Sequence, residues 1–252
     1  MKLTDTAAIV TGGASGLGAA TAAALAEKGA TVFALDLPSS IEKAPSVTGV
    51  QYLGADVTDP EQVSAAVEAA AGEGPPLRTV VNCAGIGPSQ RILSKGKSHD
   101  IDLFAKVIQI NLVGTFAVLS TAARVIATTE PDENGQRGVV VNTASIAAFE
   151  GQIGQVAYAS SKAGVVGLTI AAARDLAQYG IRVCTIAPGI VETPMLATVS
   201  DEFRAGLAAS VPFPKRLAQP HEYARLALSI IDQDYLNGEV IRMDGALRMA
   251  PR

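Results

Sequence analysis

Short, almost uniformly apolar runs alternate with longer helical patterns along this chain, and this alternation constrains the fold more than any other feature. Because polar and apolar residues do not alternate within the runs, we expect strands buried on both faces, which requires helices above and below them. The sequence therefore predicts an α/β fold with one Rossmann-type, doubly wound parallel sheet of about seven strands and helices on both faces. The predicted strands are Thr6–Thr11, Thr31–Asp36, Val50–Ala55, Thr79–Cys83, Gly138–Thr143, Ile181–Ala187 and Glu239–Met243.

The helical patterns between the strands begin and end at residues suited to helix termini. Gly29 follows one pattern and can adopt the left-handed conformation that ends a helix, while Asp59 and Pro60 suit a cap and a first turn. Since neither a repeat nor a low-complexity linker interrupts the pattern, residues 1–252 are expected to form a single domain. The predicted helices are Leu17–Lys28, Pro60–Ala71, Phe104–Thr128, Gln155–Gln178 and His221–Asp232.

Composition excludes several classes of function. The 252 residues carry a net charge of −4, 4% aromatics and no Trp, which argues against nucleic acid as a partner. Cys83 and Cys184 lie in apolar runs and are expected to be reduced, and the spacing of His and acidic residues predicts no metal site. We see neither a signal peptide nor an apolar run near the ~20 residues of a membrane span, so we expect a cytoplasmic protein without a membrane partner.

A glycine-rich loop joins the first strand to the first helix. Thr11–Gly18 has the spacing G-x-x-x-G-x-G at Gly12, Gly16 and Gly18. Glycines there let the backbone turn tightly and approach a pyrophosphate, and the helix N-terminus supplies unpaired N–H groups. The loop, placed between a strand and a helix, predicts dinucleotide binding.

Polar residues at the ends of the next strands extend this predicted site. Asp36 ends the second strand, where a carboxylate accepts hydrogen bonds from an adenosine ribose and repels a 2′-phosphate, so NAD is favoured over NADP. Asp56 and Val57 suit the adenine edge, or form an ordinary turn. Small residues at Ala84 and Gly85, after the fourth strand, allow a nucleotide to pass close to the backbone.

Tyr158 and Lys162 are four residues apart on a predicted helix and therefore share a face. A phenol has a pKa near ~10, and a nearby ammonium is expected to lower the Tyr158 pKa so that the phenol serves as a base. Ser145 ends the fifth strand and is placed to hold a substrate oxygen. Asn111 lies in the long helix, where its side-chain amide is expected to hold a water for proton relay.

In this chain order the motifs resemble those of the short-chain dehydrogenase/reductase family over nearly the whole chain. The resemblance implies a catalytic tetrad of Asn111, Ser145, Tyr158 and Lys162. It also implies that the segment beginning at Pro188 contacts the nicotinamide carboxamide through the Val191 backbone and the Thr193 hydroxyl. The matching elements are TGGASGLG at Thr11–Gly18, Asp36, Asp56, NCAG at Asn82–Gly85, Asn111, Ser145, Tyr158-x-x-x-Lys162 and P-G-x-x-x-T at Pro188–Thr193.

Within the family, segments such as GQRGVVVNTASIAAFEGQIGQVAY and LNGEVIRMDGALRM are similar to type II 3-hydroxyacyl-CoA dehydrogenases. This likeness implies NAD as cofactor, an acyl-CoA ester of fatty acid metabolism as small-molecule substrate, and a homotetramer. It also implies that Ser15, Leu17, Cys83 and Gln155 line the cofactor or substrate sites, Gln155 with Ser145 and Tyr158 on the substrate side. Cys83 stands where Asn is usual in the wider family.

Three other functions are compatible with these residues. They are a 3-oxoacyl-carrier-protein reductase, a hydroxysteroid dehydrogenase, and a non-catalytic dinucleotide sensor or scaffold. The segment Ser89–Asp102 carries basic residues that suit the phosphates of CoA, or is a solvated loop. A substrate lid is expected around residues 190–215, where apolar side chains either wall an acyl pocket or pack the lid onto the core.

Overall fold

The structure is a computed structural model that describes residues 1–72, 74–196 and 200–251. Seven parallel strands form one sheet, whose order from edge to edge is Val50–Gly54, Thr31–Asp36, Ala7–Thr11, Leu77–Asn82, Gly138–Thr143, Ile181–Pro188 and Val240–Met243. Two further strands, β5 (Leu93–Ser94) and β6 (Lys97–Ser98), pair antiparallel in a small hairpin. The strands of the main sheet are β1 (Ala7–Thr11), β2 (Thr31–Asp36), β3 (Val50–Gly54), β4 (Leu77–Asn82), β7 (Gly138–Thr143), β8 (Ile181–Pro188) and β9 (Val240–Met243).

The helices connect successive strands and cover both faces of the sheet. The helices Ile101–Ile108 and Thr115–Ile126 form one continuous helix through a π-helical segment, Gln109–Gly114. Single 3₁₀ turns lie at Ile146–Ala148, Ala177–Tyr179 and Pro194–Leu196. The α-helices are α1 (Gly16–Glu27), α2 (Pro38–Ile41), α3 (Pro60–Gly72), α4 (Ile101–Ile108), α5 (Thr115–Ile126), α6 (Val156–Leu176), α7 (Asp201–Ser210) and α8 (Pro220–Asp232).

Successive side chains of each strand enter two separate cores. Ile9 of β1 packs with α3, α5 and α6 on one face, whereas Ala8 and Val10 pack with α1 and α8 on the other. All three side chains are fully buried because β1 is covered on both sides. The doubly wound parallel sheet predicted from the uniformly apolar strands is therefore confirmed.

The predicted elements agree with the structure to within two or three residues at most ends. Gly29 has φ +87°, and Asp59 accepts hydrogen bonds from the backbone of the first turn of α3, as expected of their terminal positions. The helix predicted at Phe104–Thr128 begins earlier, at Ile101, where the Asp100 side chain caps it. The hairpin β5–β6 was not predicted, because strands of two residues carry no periodicity.

The expectation that no segment is apolar enough for a membrane span is wrong on length and composition. Two helices, Ile101–Ile126 and Val156–Tyr179, satisfy that criterion. Both contribute residues to the core beneath the sheet, as do the long helices of many soluble proteins. Their apolar character is weak evidence for a membrane span.

The strand order reverses between β1 and β4, where connections leave the sheet in opposite directions. In an open parallel sheet the carboxyl ends of the strands at such a point border the crevice that binds ligands. The loops after β1, β4, β7 and β8 therefore meet at one edge.

Candidate active site

The glycine loop after β1 has a backbone that other residue types cannot adopt without displacement. Gly12 and Gly16 have φ values of +64° and +53°. A Cβ on Gly12 would lie 2.9 Å from the Ala84 backbone nitrogen, and a Cβ on Gly18 would lie 2.1 Å from the Gly12 oxygen. The glycines thus allow α1 to begin directly against the loop.

The start of α1 has the properties of an anion site. Ser15 stands at the N-cap without a side-chain capping bond, and the first turn carries no acidic residue. Uncapped N–H groups and the helix dipole favour a phosphate at this position. A Cβ on Gly16 would lie 3.5 Å from Thr193, so the loop after β8 faces the glycine loop across this space. Leu17 is partly buried at the same helix start. These residues fit the pyrophosphate of a dinucleotide.

Asp36 lies at the end of β2 and is tied to the glycine loop. One carboxylate oxygen accepts a hydrogen bond from Ala14 N at 3.0 Å and the other from Leu37 N at 2.8 Å. This fixes a negative charge beside the loop, where it would oppose a 2′-phosphate.

Asp56 and Val57 adopt the turn geometry that was the alternative to adenine binding. One oxygen of Asp56 accepts bonds from the Thr58 backbone and hydroxyl, at 2.8 and 2.7 Å. Val57 is 8% exposed and packs against Gly114. Their proposed contact with adenine stays a prediction.

The segment after β4 is drawn toward the glycine loop by Thr11. The Thr11 hydroxyl accepts hydrogen bonds from Cys83 N and Ala84 N, both at 3.1 Å. A Cβ on Gly85 would lie 3.1 Å from the Asn111 Oδ1 and 3.5 Å from Lys162 Nζ. Gly85 therefore brings the predicted cofactor segment against the predicted catalytic residues.

Tyr158, Lys162 and Ser145 converge at this edge of the sheet. Lys162 is 4% exposed and donates a hydrogen bond to the Thr143 carbonyl at 2.8 Å. Its Nζ lies 5.8 Å from the centre of the Tyr158 ring. Ser145 accepts a hydrogen bond from Ala147 N at 3.1 Å, which leaves its own hydrogen free to donate toward Tyr158.

Burial sets the ionisation of this group. It raises the pKa of the Tyr158 phenol, and the hydrogen bond with Ser145 lowers that pKa by less. Burial also lowers the pKa of Lys162 to about 8. The expectation of a lowered Tyr158 pKa is therefore wrong for the protein by itself, because desolvation of the phenol raises that pKa by more than the Ser145 hydrogen bond lowers it.

The side-chain amide of Asn111 is hydrogen-bonded to three protein groups, and its expected contact with a water stays a prediction. Its Oδ1 accepts from Ile86 N at 2.8 Å, while its Nδ2 donates to Ile86 O at 2.8 Å and to Ser161 Oγ at 3.0 Å. The side chain is fully buried. Asn111 thus joins the segment after β4 to the helix of Tyr158, from within the π-helical part of its own helix.

Four residues predicted around the substrate and nicotinamide lie on neighbouring loops. Gln155 is the N-cap of α6, and its Oε1 accepts from Gln152 N at 3.0 Å. Pro188 ends β8, Val191 pairs with Ala218 in an isolated bridge, and Thr193 follows on the side that faces the glycine loop. Their contacts with ligands stay predictions.

The predicted lid contains α7, which has no buried residue, and Phe203 on it is 57% exposed. Arg204 of α7 forms an ion pair with Glu192 of the loop after β8, at 3.0 Å. Residues 197–199 of this predicted segment lie outside the described residues.

Three residues of the site were not identified from sequence. They are Thr11, Thr143 and Ser161, which hold other site residues through single hydroxyl or carbonyl groups. The only available indication was their position, next to or inside the recognised motifs. Among the described residues no group of three or more His, Cys, Asp or Glu is placed to hold a metal ion.

The chain is similar to known proteins over nearly its full length. The profile of the short chain dehydrogenase family matches residues 6–203. The 3-hydroxyacyl-CoA dehydrogenase type-2 of Drosophila melanogaster is 52% identical over 248 residues, with 96% of this chain and 97% of that protein covered. The Homo sapiens protein of that name is 49% identical over 249 residues, with 97% and 95% covered. A crystal structure of 3-hydroxyacyl-CoA dehydrogenase type-2 from Mycobacterium avium superposes with a TM-score of 0.92, at 46% identity and 98% coverage of both chains.

Proposed function

This chain belongs to the short chain dehydrogenase family, and on that premise we propose that it transfers hydride between NAD(H) and a 3-hydroxyacyl-CoA or 3-oxoacyl-CoA ester. The family match makes it an oxidoreductase that works with a nicotinamide dinucleotide. The observation that carries the reaction class is the convergence of Ser145, Tyr158 and Lys162 beside the glycine loop. The substrate class follows from the names of the relatives that match the chain from end to end.

The choice of NAD over NADP rests on Asp36. Its carboxylate is held beside the glycine loop by two backbone N–H groups, at 3.0 and 2.8 Å. A 2′-phosphate on the adenosine ribose would bring a second negative charge to this position. Neither Ala14 nor Leu37, the residues that hold Asp36, carries a positive charge to offset it.

The chain's own residues account for substrate orientation and proton transfer. Ser145 can donate to the substrate oxygen because Ala147 N–H occupies its acceptor side. Tyr158 exchanges a proton with the same oxygen, taking it during alcohol oxidation and returning it during ketone reduction. Lys162 gives one hydrogen to the Thr143 carbonyl, so two others can go to ribose hydroxyls near Tyr158. The bound nicotinamide supplies the hydride acceptor or donor.

Lys162 also favours proton loss from Tyr158 once substrate and cofactor are present. Its pKa of about 8 means that the side chain is mostly an ammonium at neutral pH. A positive charge beside a phenol stabilises the phenolate, and the effect strengthens as water is excluded.

A basic arm beside the site suits the phosphates of CoA. Arg91, Lys95 and Lys97 are exposed on and around the β5–β6 hairpin. The base of this arm is attached to the loop before α6, since Gln90 N donates to Gly154 O at 2.8 Å. The arm therefore begins next to Gln155, on the proposed substrate side.

We also propose that the protein is a homotetramer. A surface groove of about 520 Å³ runs between α5 and α6 and is lined largely by apolar side chains, among them Phe116, which is 53% exposed, and Tyr179. Exposed apolar surface of this kind on long helices is typical of subunit interfaces. Analytical ultracentrifugation should give about four times the mass of one chain, and a monomer would contradict this assignment.

The decisive assay follows the absorbance of reduced nicotinamide with acetoacetyl-CoA. We expect NADH to be consumed and NADPH to be used far less well. Asp36→Ala should narrow that preference, while Asp5→Ala, which removes a carboxylate away from the glycine loop, should leave it unchanged. Preference for NADPH would contradict the role of Asp36. Activity only with a carrier-protein thioester or a steroid would replace the substrate class, and no turnover with any ketone would favour a sensor.

A further inference from the structure

Tyr223 of α8 lies outside every recognised motif in the sequence, yet its side chain is the largest fully buried one among the described residues. It belongs to the core on the sheet face opposite α6, which carries Tyr158 and Lys162. Its hydroxyl lies 2.6 Å from the Thr143 hydroxyl and 3.7 Å from the Cys83 sulfur. A buried phenol normally has such partners, and these partners end the two central strands.

The direction of the hydrogen bonds in this group follows from its acceptors. The Thr143 hydroxyl also bonds to the Asn82 carbonyl, which can only accept, so Thr143 gives its single hydrogen to Asn82. Tyr223 must then donate to Thr143 Oγ1. The Cys83 thiol can in turn donate to the Tyr223 oxygen. The result is a directed chain from Cys83 through Tyr223 and Thr143 to Asn82.

This hydrogen-bond chain passes through Thr143, the residue whose carbonyl accepts from the predicted catalytic lysine. Two polar groups of Thr143 form these contacts. Its hydroxyl is held by hydrogen bonds with Tyr223 and Asn82. Its backbone carbonyl accepts a hydrogen bond from Lys162 Nζ at 2.8 Å. Ser145 follows two residues later, at the end of the same strand. The Cys83 end of the chain leads into Ala84 and Gly85, which pass along the glycine loop.

We propose that Tyr223 is a positioning residue for catalysis, which fixes the ends of β4 and β7 through Thr143 and so holds Lys162 in place. The inference rests on the proposed hydride transfer, to which it adds a residue on the opposite side of the sheet. Tyr223 touches neither substrate nor cofactor in this assignment. It acts by removing the freedom of Thr143 to turn its carbonyl away from Lys162.

Tyr223→Phe tests this, because it removes only the hydroxyl and keeps the ring that fills the core. We expect the NADH dissociation constant to rise about fivefold, the equivalent of one hydrogen bond, and kcat to fall by at least as much. The pH at which the rate is half-maximal should also shift, since the ammonium next to Tyr158 is no longer fixed. Wild-type NADH affinity together with a wild-type pH profile would overturn the proposal.

Thr185→Val is the matched control. It breaks another buried pair of hydroxyls, Thr169 with Thr185, whose oxygens are also 2.6 Å apart, by removing the Thr185 hydroxyl. This variant should lower the unfolding midpoint as Tyr223→Phe does, but NADH affinity and the pH profile should stay those of the wild type. Equal catalytic damage in both variants would mean that any buried hydroxyl matters, and would overturn the specific role of Tyr223.

A double-mutant cycle with Thr143→Val gives a readout that needs neither substrate nor cofactor. Both changes break one chain, so in urea unfolding of the free protein the double variant should be no less stable than Thr143→Val alone. Additive losses of unfolding free energy in the double variant would contradict the proposed hydrogen-bond chain. NADH affinity and urea unfolding can both be measured without an acyl substrate. If the wild-type protein does not reduce acetoacetyl-CoA, the substrate assignment is overturned, but these two measurements still test the role of Tyr223.

Discussion

The ammonium of Lys162 should add to the unfolding free energy of this protein a contribution that rises with pH in the alkaline range. Lys162 is 4% exposed, and burial lowers its pKa from 10.5 to about 8. The difference corresponds to about 3 kcal/mol of unfolding free energy, which is the penalty for keeping the charged form buried at pH 7. In the unfolded chain the same group keeps its proton until about pH 10.5.

The sign of the effect follows from proton binding. Between pH 8 and 10.5 the unfolded chain holds more protons at this position than the folded protein, so the contribution of Lys162 to the unfolding free energy increases as pH rises. The buried-charge penalty is fully present below pH 8 and disappears as pH approaches 10.5. From pH 7 to pH 10 the contribution of Lys162 should rise by about 2 to 3 kcal/mol.

Lys162→Met isolates this contribution. The variant lacks the titrating group, so the gain between pH 7 and pH 10 should be missing from it, whatever the cost of losing the bond to the Thr143 carbonyl. The measurement is urea unfolding followed by circular dichroism, because the chain has no Trp to report by fluorescence. Lys106→Met removes an exposed lysine from α4 and should follow the wild-type pH dependence. Parallel curves for wild type and Lys162→Met would refute the argument.

Three other changes have defined outcomes. The hydrogen bond with Arg216 is the main cause that lowers the pKa of Glu222 to about 2. The ionised carboxylate therefore stabilises the fold above pH 4.5, and this stabilisation is lost as pH falls toward 2. After allowing for solvent screening, Glu222→Gln should lower the unfolding free energy in urea by about 1 kcal/mol at pH 7 and should have no effect near pH 2. Gly18→Ala places a Cβ 2.1 Å from the Gly12 carbonyl oxygen and should abolish NADH binding measured by calorimetry. The control Gly167→Ala, whose Cβ would have no neighbour within 4 Å, should bind NADH as the wild type does. Intact NADH binding by Gly18→Ala would contradict the loop geometry. Tyr158→Phe should lower kcat by at least about 10²-fold with NADH affinity nearly unchanged, and turnover close to wild type would remove Tyr158 from the mechanism.

Much of the fold and of the candidate site could be predicted because the responsible signals are local. A strand buried on both faces is rich in apolar residues and shows no polar–apolar alternation, so β1, β4, β7 and β8 can be recognised in the sequence. A loop that begins a helix against its own backbone needs Gly at Gly12 and Gly18. A helical spacing of four places Tyr158 and Lys162 on one face.

The electrostatics of the site could not be predicted in this way. The spacing of Tyr158 and Lys162 indicated a lowered phenol pKa, but burial raises it. Likewise, the position of Asn111 in a helix gave no indication that Ile86 and Ser161 occupy its amide. Desolvation and hydrogen-bond saturation depend on neighbours that are distant in sequence.

The sequence by itself thus determined the order of the elements, the glycine loop and the face of α6 that carries the tyrosine and lysine, because each depends on residues within one or two turns of each other. Only the tertiary structure decided which groups surround them. Tyr223 shows the difference most clearly: 80 residues separate it from Thr143, and nothing in its local sequence distinguishes it from an ordinary core residue. Its contact exists because α8 and the end of β7 are brought together on one face of the sheet, where a buried hydroxyl must find a partner.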